Sequence, residues 1–409
     1  MDRLAGTPPR AYRLLQSKEH MKILHHLCTL ATLLAVTLRG QPAPAKSAEA
    51  PPVLKIGAQA PDFSLPGTDG AVHSLTEYGS SKVLVLVFTC NHCPVAEMYE
   101  RRIKTLAADY KDRGATIVAI NPNDPKALKL SELRYSDVGD SLPEMKIRAE
   151  YRQFNFPYLS DSETQAASKK YGPVSTPHVF VLDRERKLRY QGRIDNYQNE
   201  ELATKHEARD AVEALLAGRP VPVETTPAVG CSIKWANKEA GAAEETDKAD
   251  REPVRVEMAG VDQMKELRKN AAKTFVLVNF WATWCEPCED ELPDLQAIYR
   301  SYRQRLFDMV LVSTNDPEDK EGVLKVLNEQ HAISRNYLFN VADPIDIIAA
   351  FGADFDGGVP FTVLLNPEGK ILYTKQGGIN PLEVRRVILK NLPDDAGRSG
   401  IHAYWNSSF

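Results

Sequence analysis

The chain is poor in three things: cysteine, net charge and long apolar runs. Only six of its 409 residues are cysteine, which excludes a scaffold held together by disulfides. Its formal net charge is -4 at pH 7, so no excess of charge points to a nucleic-acid partner. The apolar stretch at 27–38 is too short to span a bilayer comfortably. What remains is ordinary globular composition, 43% hydrophobic and 26% charged, with enough chain for two cores.

The first fifty residues have the features of an export signal. Lys18 and Lys22 precede the apolar stretch, and small residues suited to cleavage follow at 43–45 and 48–50. We therefore predict a signal peptide and leader over 1–50, and a mature protein in the periplasm or cell envelope. The alternative is an uncleaved signal that tethers the protein to a membrane.

Beyond that leader lie five cysteines, and four of them form two C-x-x-C pairs. The pairs are Cys90 with Cys93 and Cys285 with Cys288; each follows an apolar strand-like run and precedes a helical pattern. Two thiols at the start of a helix can close a small disulfide ring, and the helix N-terminus stabilises the attacking thiolate. The pattern therefore predicts thiol–disulfide chemistry at two places. No cofactor is expected, because the cysteines themselves carry the two electrons.

The two halves of the chain repeat one order of elements. Strand, helix and strand are followed by a hairpin and a helix, which predicts an α/β fold with a central mixed sheet flanked by helices. The predicted strands are 83–88, 115–120, 179–182, 188–191, 275–280, 309–313, 361–365 and 371–374. We place the domains at 51–219 and 253–395, and a tail at 396–409. The linker between the domains, 220–252, is stiffened by prolines in its first part and is flexible, with no apolar face, towards its end.

Two segments of the chain resemble known protein families. The segment Asn279–Cys288 with its following acidic residues resembles the ResA/TlpA branch of exported thioredoxin-like proteins, over most of 253–395. The segment Phe88–Pro94, with matching stretches on to Gly230–Trp235, resembles the peroxiredoxin-like (AhpC/TSA-like) members of the redoxin group. The resemblances imply two thioredoxin-like domains in tandem, each with a dithiol or thiol site.

The first of these resemblances implies roles for the residues of the second pair. Cys285 begins the helix and should be the more exposed, attacking thiol, while Cys288 resolves the mixed disulfide. Pro287 gives rigidity and a low reduction potential. Glu286 places negative charge between the thiols, and Trp284 flanks them.

Residues further along the chain complete the expected second site. Asn279 stands where ordinary thioredoxins carry a buried Asp, so Glu291, which matches an acidic residue of the ResA-like branch, is the candidate for proton transfer. Pro360 is expected to be cis and to face the pair, and the backbone of Val359 to pair with an extended substrate. Thr176–Pro177 holds the same place in the first half.

The first site admits three interpretations. His92 between the cysteines resembles the oxidising dithiol proteins and predicts dithiol exchange. With Cys93 as a peroxidatic thiol, Pro94 and Glu97 fit the peroxiredoxin pattern, but Cys90 stands where that pattern has Thr. Two thiolates and an imidazole also suit Cu(I), a soft ion.

Cys231 is a candidate third redox thiol, provided that its connector folds back onto a site; a buried structural thiol beside Trp235 is the alternative. We therefore predict an exported thiol–disulfide oxidoreductase acting on protein or small-molecule thiols and disulfides. A membrane thiol reductant is one candidate for the upstream partner. The first site is predicted to be the more oxidising, so electrons would pass to it from the second pair.

Overall fold

The computed structural model describes residues 50–340, 351, 356–395 and 400–407. The predicted leader, except for Ala50, and part of the predicted tail lie outside the described residues. Among those that are described, no helix combines the length and apolar character needed to cross a membrane. From Ala50 onward the chain forms one unit, in which we call 50–252 the N-terminal half and 253–407 the C-terminal half.

The N-terminal half is built on a five-stranded mixed sheet of order β5-β4-β3-β6-β7. Strand β3 is parallel to β4 and antiparallel to β6, and a separate antiparallel pair, β1 and β2, precedes them. The strands are β1 Ser64–Pro66, β2 Val72–Ser74, β3 Val83–Phe88, β4 Ala115–Asn121, β5 Tyr158–Ser160, β6 His178–Leu182 and β7 Leu188–Gly192. The helices are α1 Pro94–Tyr110, α2 Leu142–Tyr151, α3 Ala166–Tyr171, α4 Glu207–Leu216 and α5 Glu239–Asp250.

The C-terminal half repeats the plan on a six-stranded sheet of order β13-β12-β9-β10-β11-β8. Strand β9 is parallel to β10 and antiparallel to β12. The strands are β8 Glu257–Ala259, β9 Phe275–Trp281, β10 Phe307–Ser313, β11 Arg335–Phe339, β12 Phe361–Leu365 and β13 Ile371–Gln376. The helices are α6 Val261–Lys269, α7 Glu286–Tyr302, α8 Lys320–Glu329, α9 Pro381–Asn391 and α10 Ile401–Asn406. Short 3-10 turns occur at Leu75–Tyr78, Pro125–Ala127, Leu130–Leu133, Glu200–Leu202, Ala236–Lys238 and Pro317–Asp319.

Each central strand is buried on both faces because helices cover both sides of its sheet. In β3, Val83, Val85 and Val87 belong to one apolar cluster, whereas Leu84 and Leu86 belong to another. Successive side chains of a strand point to opposite faces, so an unbroken apolar run is what such a position requires. The predicted thioredoxin-like order is confirmed in both halves.

The predicted linker and tail differ from the structure. Residues 239–250 form α5 rather than a flexible run, because Ala242 and Ala249 are buried and Glu245 accepts a hydrogen bond from the Ser131 hydroxyl at 2.9 Å. In the tail, α10 buries Ile401 and Trp405. The domain boundaries themselves stay a prediction.

The two halves are joined by a buried ionic cluster around Arg148, which we call the Arg148 cluster. Its guanidinium is fully buried and lies 3.0 Å from Glu97 and 2.7 Å from Asp137, both of the N-terminal half. From the C-terminal half, the Tyr404 hydroxyl accepts a hydrogen bond from Arg148 at 2.8 Å, and Arg386 lies 2.7 Å from Asp137. A charged side chain that is buried away from water needs a partner of opposite charge. The contacts of the Arg148 cluster therefore hold the two halves together.

Candidate redox sites

The second pair of cysteines lies at the N-terminus of α7 and is closed as a disulfide. Cys285 is the N-cap residue, and the S–S bond to Cys288 is 2.05 Å long. Cys285 is 6% exposed and Cys288 is fully buried, so the expected order of exposure is confirmed. The Trp284 side chain is 70% exposed beside them. The peptide bond before Pro360 is cis, as expected from the sequence.

A buried amide–carboxyl pair lies behind this disulfide. Asn279 donates a hydrogen bond to Glu291 at 2.7 Å, and the Ile379 amide donates to the other carboxyl oxygen at 2.9 Å. Burial raises the pKa of Glu291 above its usual value, and the two hydrogen bonds only partly oppose this. Because Glu291 lies three residues after Cys288 on α7, both side chains share one face of the helix. Glu291, the candidate proton carrier, therefore lies about one helical turn after the resolving thiol of Cys288.

The first pair is arranged differently from the second. Helix α1 begins at Pro94, so Cys93, and not Cys90, is its N-cap residue and holds the position that Cys285 has in α7. Cys90 lies three residues earlier in the loop, and both side chains are thiols buried in the structure. The C-x-x-C spacing is the same in both pairs and does not distinguish them. The structure shows that they are offset by three residues relative to the helix.

Thr176 contacts both thiols of the first site. Its hydroxyl lies 3.0 Å from the sulfur of Cys90, and its carbonyl oxygen accepts a hydrogen bond from the Cys93 thiol at 3.2 Å. The Thr176–Pro177 bond is cis, as expected. The pKa of Cys90 is raised, chiefly by burial. Burial acts the same way on Cys93, but hydrogen bonds from Cys231 and Cys90 and the charge of His92 bring its pKa well below the usual value.

The imidazole of His92 is paired with Asp140, a residue that the sequence did not single out. The imidazole Nδ1 lies 2.5 Å from the Asp140 carboxylate, and both side chains are buried. The backbone amide of Asn91 and the side-chain amide of Asn123 also donate to that carboxylate, both at 2.8 Å. Burial opposes the charge of His92, but Asp140 raises its pKa above the usual value. Among the described residues, the imidazole Nε2 has no hydrogen-bond partner.

Cys231 lies in the first site. Its backbone N–H donates to the sulfur of Cys93 at 3.3 Å, and its carbonyl accepts from the amide of Thr176 at 2.9 Å. The connector thus folds back onto a site, as the redox interpretation of this residue requires.

The two sites lie at opposite ends of α7. Fourteen residues separate Cys288 from Tyr302, which is about 21 Å along a helix axis. The Tyr302 hydroxyl donates to the carbonyl of Ser136 at 2.8 Å, and the Ser136 hydroxyl donates to the carbonyl of Asn91, which lies between Cys90 and Cys93. The first site is therefore near the C-terminal end of α7, and the second disulfide at its N-terminal end.

Comparison with known families and proteins agrees with this geometry. Residues 56–191 match the model of the AhpC/TSA family, and residues 248–388 match that of the Redoxin family. The thiol-disulfide oxidoreductase ResA of Halalkalibacterium halodurans is 30% identical over 117 residues, which is 28% of this chain and 60% of that protein. The Bacillus subtilis ResA is 28% identical over 102 residues, 25% of this chain and 52% of that one. The chain thus spans roughly half of the curated relatives it matches.

Solved structures are also similar to parts of the chain. An uncharacterized conserved protein from Geobacillus kaustophilus is 38% identical, with 48% of this chain and 97% of that chain covered and a TM-score of 0.41. A putative thiol:disulfide interchange protein DsbE from Chlorobium tepidum is 22% identical, with 40% and 97% covered and a TM-score of 0.30.

Proposed function

Because the chain joins an AhpC/TSA-family domain to a Redoxin-family domain, we propose that it is a thiol–disulfide oxidoreductase with two working sites. The observation that carries the proposal is the Cys285–Cys288 disulfide at the N-terminus of α7, next to the exposed Trp284. In the reduced protein the Cys285 thiolate attacks a substrate disulfide and releases one thiol. Cys288 then attacks the sulfur of Cys285, which frees the second thiol and closes the pair.

Glu291 supplies the proton transfer that this cycle needs. The resolving thiol must lose its proton before it attacks, and Cys288 is fully buried. A carboxyl with a raised pKa on the same helix face can accept that proton and return it. Glu286 and Pro287 shape the rim of the pair, and the backbone of Val359 before Pro360 offers a strand edge to an extended substrate. No bound cofactor takes part in these steps.

The first site is proposed as a second dithiol centre, with Cys93 as its nucleophile. Asp140 raises the pKa of His92, and a protonated imidazole beside Cys93 favours its thiolate. Stabilising the thiolate stabilises the reduced protein, so this site should be the more oxidising of the two. A gap of about 30 mV corresponds to about 1.4 kcal/mol, enough to direct electrons from the second site to the first.

The packing of the halves sets a condition on such a relay. The sites lie at opposite ends of α7, whereas a disulfide needs Cα atoms within about 7 Å of each other. The relay therefore runs through a diffusible thiol or through separation at the Arg148 cluster. Redox titration of variants that keep one pair each tests the direction; equal potentials would remove the relay.

The export and partners that we propose follow from the relatives and the N-terminal pattern. The protein works outside the cytoplasm, in the periplasm or envelope, where a membrane thiol reductant keeps Cys285 and Cys288 reduced. Its substrates are proteins or small molecules with thiols and disulfides.

Assays on the full chain test the second site. In a Cys93→Ser background, which silences the first site, Cys285→Ser should lose reduction of a model disulfide, whereas Cys288→Ser should accumulate a mixed disulfide with the substrate. The Cys93→Ser variant is the matched control, because it leaves the second pair intact. Full activity in Cys285→Ser in that background would refute the assignment.

Thiol peroxidase activity is the second candidate for the first site. The observation that favours it is Cys93 as the N-cap residue of α1, with its pKa lowered. Peroxide consumption that is lost in Cys93→Ser would support it.

For Cu(I) handling, ligand atoms of Cys90, His92 and Asp140 lie within 4.8 Å of one another. Metal analysis of the reduced protein tests that candidate.

A further inference from the structure

Residues 224–235, which we call the strap, cross the first site and are anchored on both sides of it. At one end, Gln191 of β7 donates its amide to the carbonyl of Glu224 at 2.9 Å. At the other end, the amide of Asp124, just after β4, donates to the carbonyl of Lys234 at 2.8 Å. The segment between these anchors is therefore held over the end of the sheet where Cys93 lies.

Over the site, the strap pairs with Thr176 as a strand would. Thr176 and Cys231 form an antiparallel bridge, with the Thr176 amide donating to the Cys231 carbonyl at 2.9 Å. Thr176 precedes Pro177 as Val359 precedes Pro360, and this is the backbone edge to which an extended substrate would add. In the first site the chain itself occupies that edge.

Gly230 is the residue of the strap that allows its backbone to approach Thr176. A Cβ atom on this residue would lie 1.8 Å from the carbonyl oxygen of Thr176, a distance that no side chain tolerates. Glycine is thus the residue that lets the two backbones approach so closely. That approach places the backbone N–H of Cys231 so that it donates a hydrogen bond to the sulfur of Cys93 at 3.3 Å.

We propose that the strap is a tethered substrate strand and that Cys231, rather than Cys90, is the thiol that forms a disulfide with Cys93 during turnover. This inference rests on the dithiol exchange proposed for the first site. It names the partner thiol of a site whose three cysteines, Cys90, Cys93 and Cys231, all stand as thiols in the structure.

The exchange balances in sulfur, protons and electrons. The Cys93 thiolate attacks one sulfur of an external disulfide, so a mixed disulfide forms and one substrate thiolate leaves and takes up a proton. Cys231 loses its proton and attacks the sulfur of Cys93. The Cys93–Cys231 bond forms as the second substrate thiol departs. Two protein thiols are oxidised, one disulfide is reduced, and Cys90 stays a thiol against the Thr176 hydroxyl.

Disulfide mapping tests which pair forms. The full chain with Cys285→Ser and Cys288→Ser is reduced, treated with oxidised glutathione and digested with trypsin without reductant. Cys90 and Cys93 fall on one tryptic peptide, which ends at Arg101, whereas Cys231 falls on another that ends at Lys234. We expect these two peptides to be linked, with the link kept in Cys90→Ser and lost in Cys93→Ser and in Cys231→Ser.

The other outcomes overturn the inference. A Cys90–Cys93 disulfide that forms equally in Cys231→Ser would remove Cys231 from the reaction but leave the dithiol proposal in place. A link that survives in Cys93→Ser would assign the partner of Cys231 to Cys90 instead. If all three cysteines stayed reduced under glutathione oxidation, both the inference and the dithiol proposal for this site would fall.

A variant that keeps every thiol tests the role of the strap. Gly230→Ala should push Cys231 away and slow formation of the link by about a hundredfold, the cost of a misplacement on the order of 1 Å at a reacting centre. Gly241→Ala is the matched control, because a Cβ at that position meets nothing within 4 Å. An unchanged rate in Gly230→Ala, with the fold verified by circular dichroism, would contradict the strap model.

Discussion

Replacing Arg148 by methionine should loosen the joint between the two halves. Arg148 is fully buried, and three carboxylates surround it: Glu97 at 3.0 Å, Asp137 at 2.7 Å and Glu100 at 3.2 Å. Methionine fills most of the volume of arginine but supplies no charge. The change therefore removes the charge without opening a large cavity.

The size of the effect follows from which carboxylates lose their partner. Asp137 keeps Arg386, and Glu100 keeps Arg152, whereas Glu97 has no second salt-bridge partner in the part of the chain that the structure describes. Removing one partner of a buried ion pair costs about 3–5 kcal/mol of the free energy of unfolding, because an uncompensated charge stays in the interior.

The loss of stability in Arg148→Met should depend on pH, because Glu97 can take up a proton. Burial raises the pKa of Glu97 well above its usual value. A carboxyl whose pKa is higher in the folded state stabilises the fold below its unfolded pKa, and that contribution is lost as the pH rises through the folded pKa. Without Arg148, Glu97 escapes the penalty by taking up a proton. The loss of stability in Arg148→Met should therefore be smaller at about pH 5 than at about pH 8.

Equilibrium unfolding in urea at the two pH values measures this loss. Arg113→Met is the matched control, because Arg113 pairs with Glu213 at the surface, where both side chains are well exposed. Its removal should change stability little at either pH. If Arg148→Met lost no more stability than Arg113→Met, or lost less at the higher pH, the cluster would not be what fixes the halves together.

Three further predictions concern the sites. Asp140→Asn should slow iodoacetamide alkylation of Cys93 at neutral pH by about tenfold, because the group that raises the pKa of His92 is gone and each 1.36 kcal/mol withdrawn from the thiolate is a factor of ten. An unchanged rate would mean that the imidazole does not act on the thiol. Glu291→Gln should lower the rate of model-disulfide reduction and flatten its pH profile, since the proton acceptor is gone; a profile that kept its shape would assign the proton to another group. Peptide mapping after oxidation of the wild-type chain should find no disulfide between Cys285 and Cys93, and an abundant one would show that the halves separate readily.

Much of the fold could be predicted because its signals are local. The run Val83–Phe88 is apolar at every position, and the structure buries all six side chains. The run Phe275–Phe280 is apolar at every position except Asn279, and the structure only extends the strand to Trp281. Elements whose burial depends on a distant partner were missed. The helix Ile401–Asn406 is too short to form by itself, and it is stabilised by packing against the other half.

The candidate sites show the same division. Cys90, His92 and Cys93 could be found from the sequence because they lie within four residues of one another. Asp140 lies 48 residues from His92 in a charged insertion, and nothing in its own neighbourhood distinguishes it from the other acidic residues. The offset of the first pair was missed for a different reason. A C-x-x-C spacing does not say which cysteine caps the helix, and that depends on where Pro94 begins it.

That offset accounts for the different character of the two sites. In α7 the N-cap cysteine and its partner one turn later are on the same helix end, so they can close a ring, and the exposed Trp284 leaves the rim open to a protein chain. In α1 the N-cap cysteine has its sequence partner in the preceding loop, and the strap covers it instead. A covered thiol admits a small disulfide more readily than an extended polypeptide, which must first displace the strand paired with Thr176. The duplicated fold therefore presents one open site and one closed by its own chain.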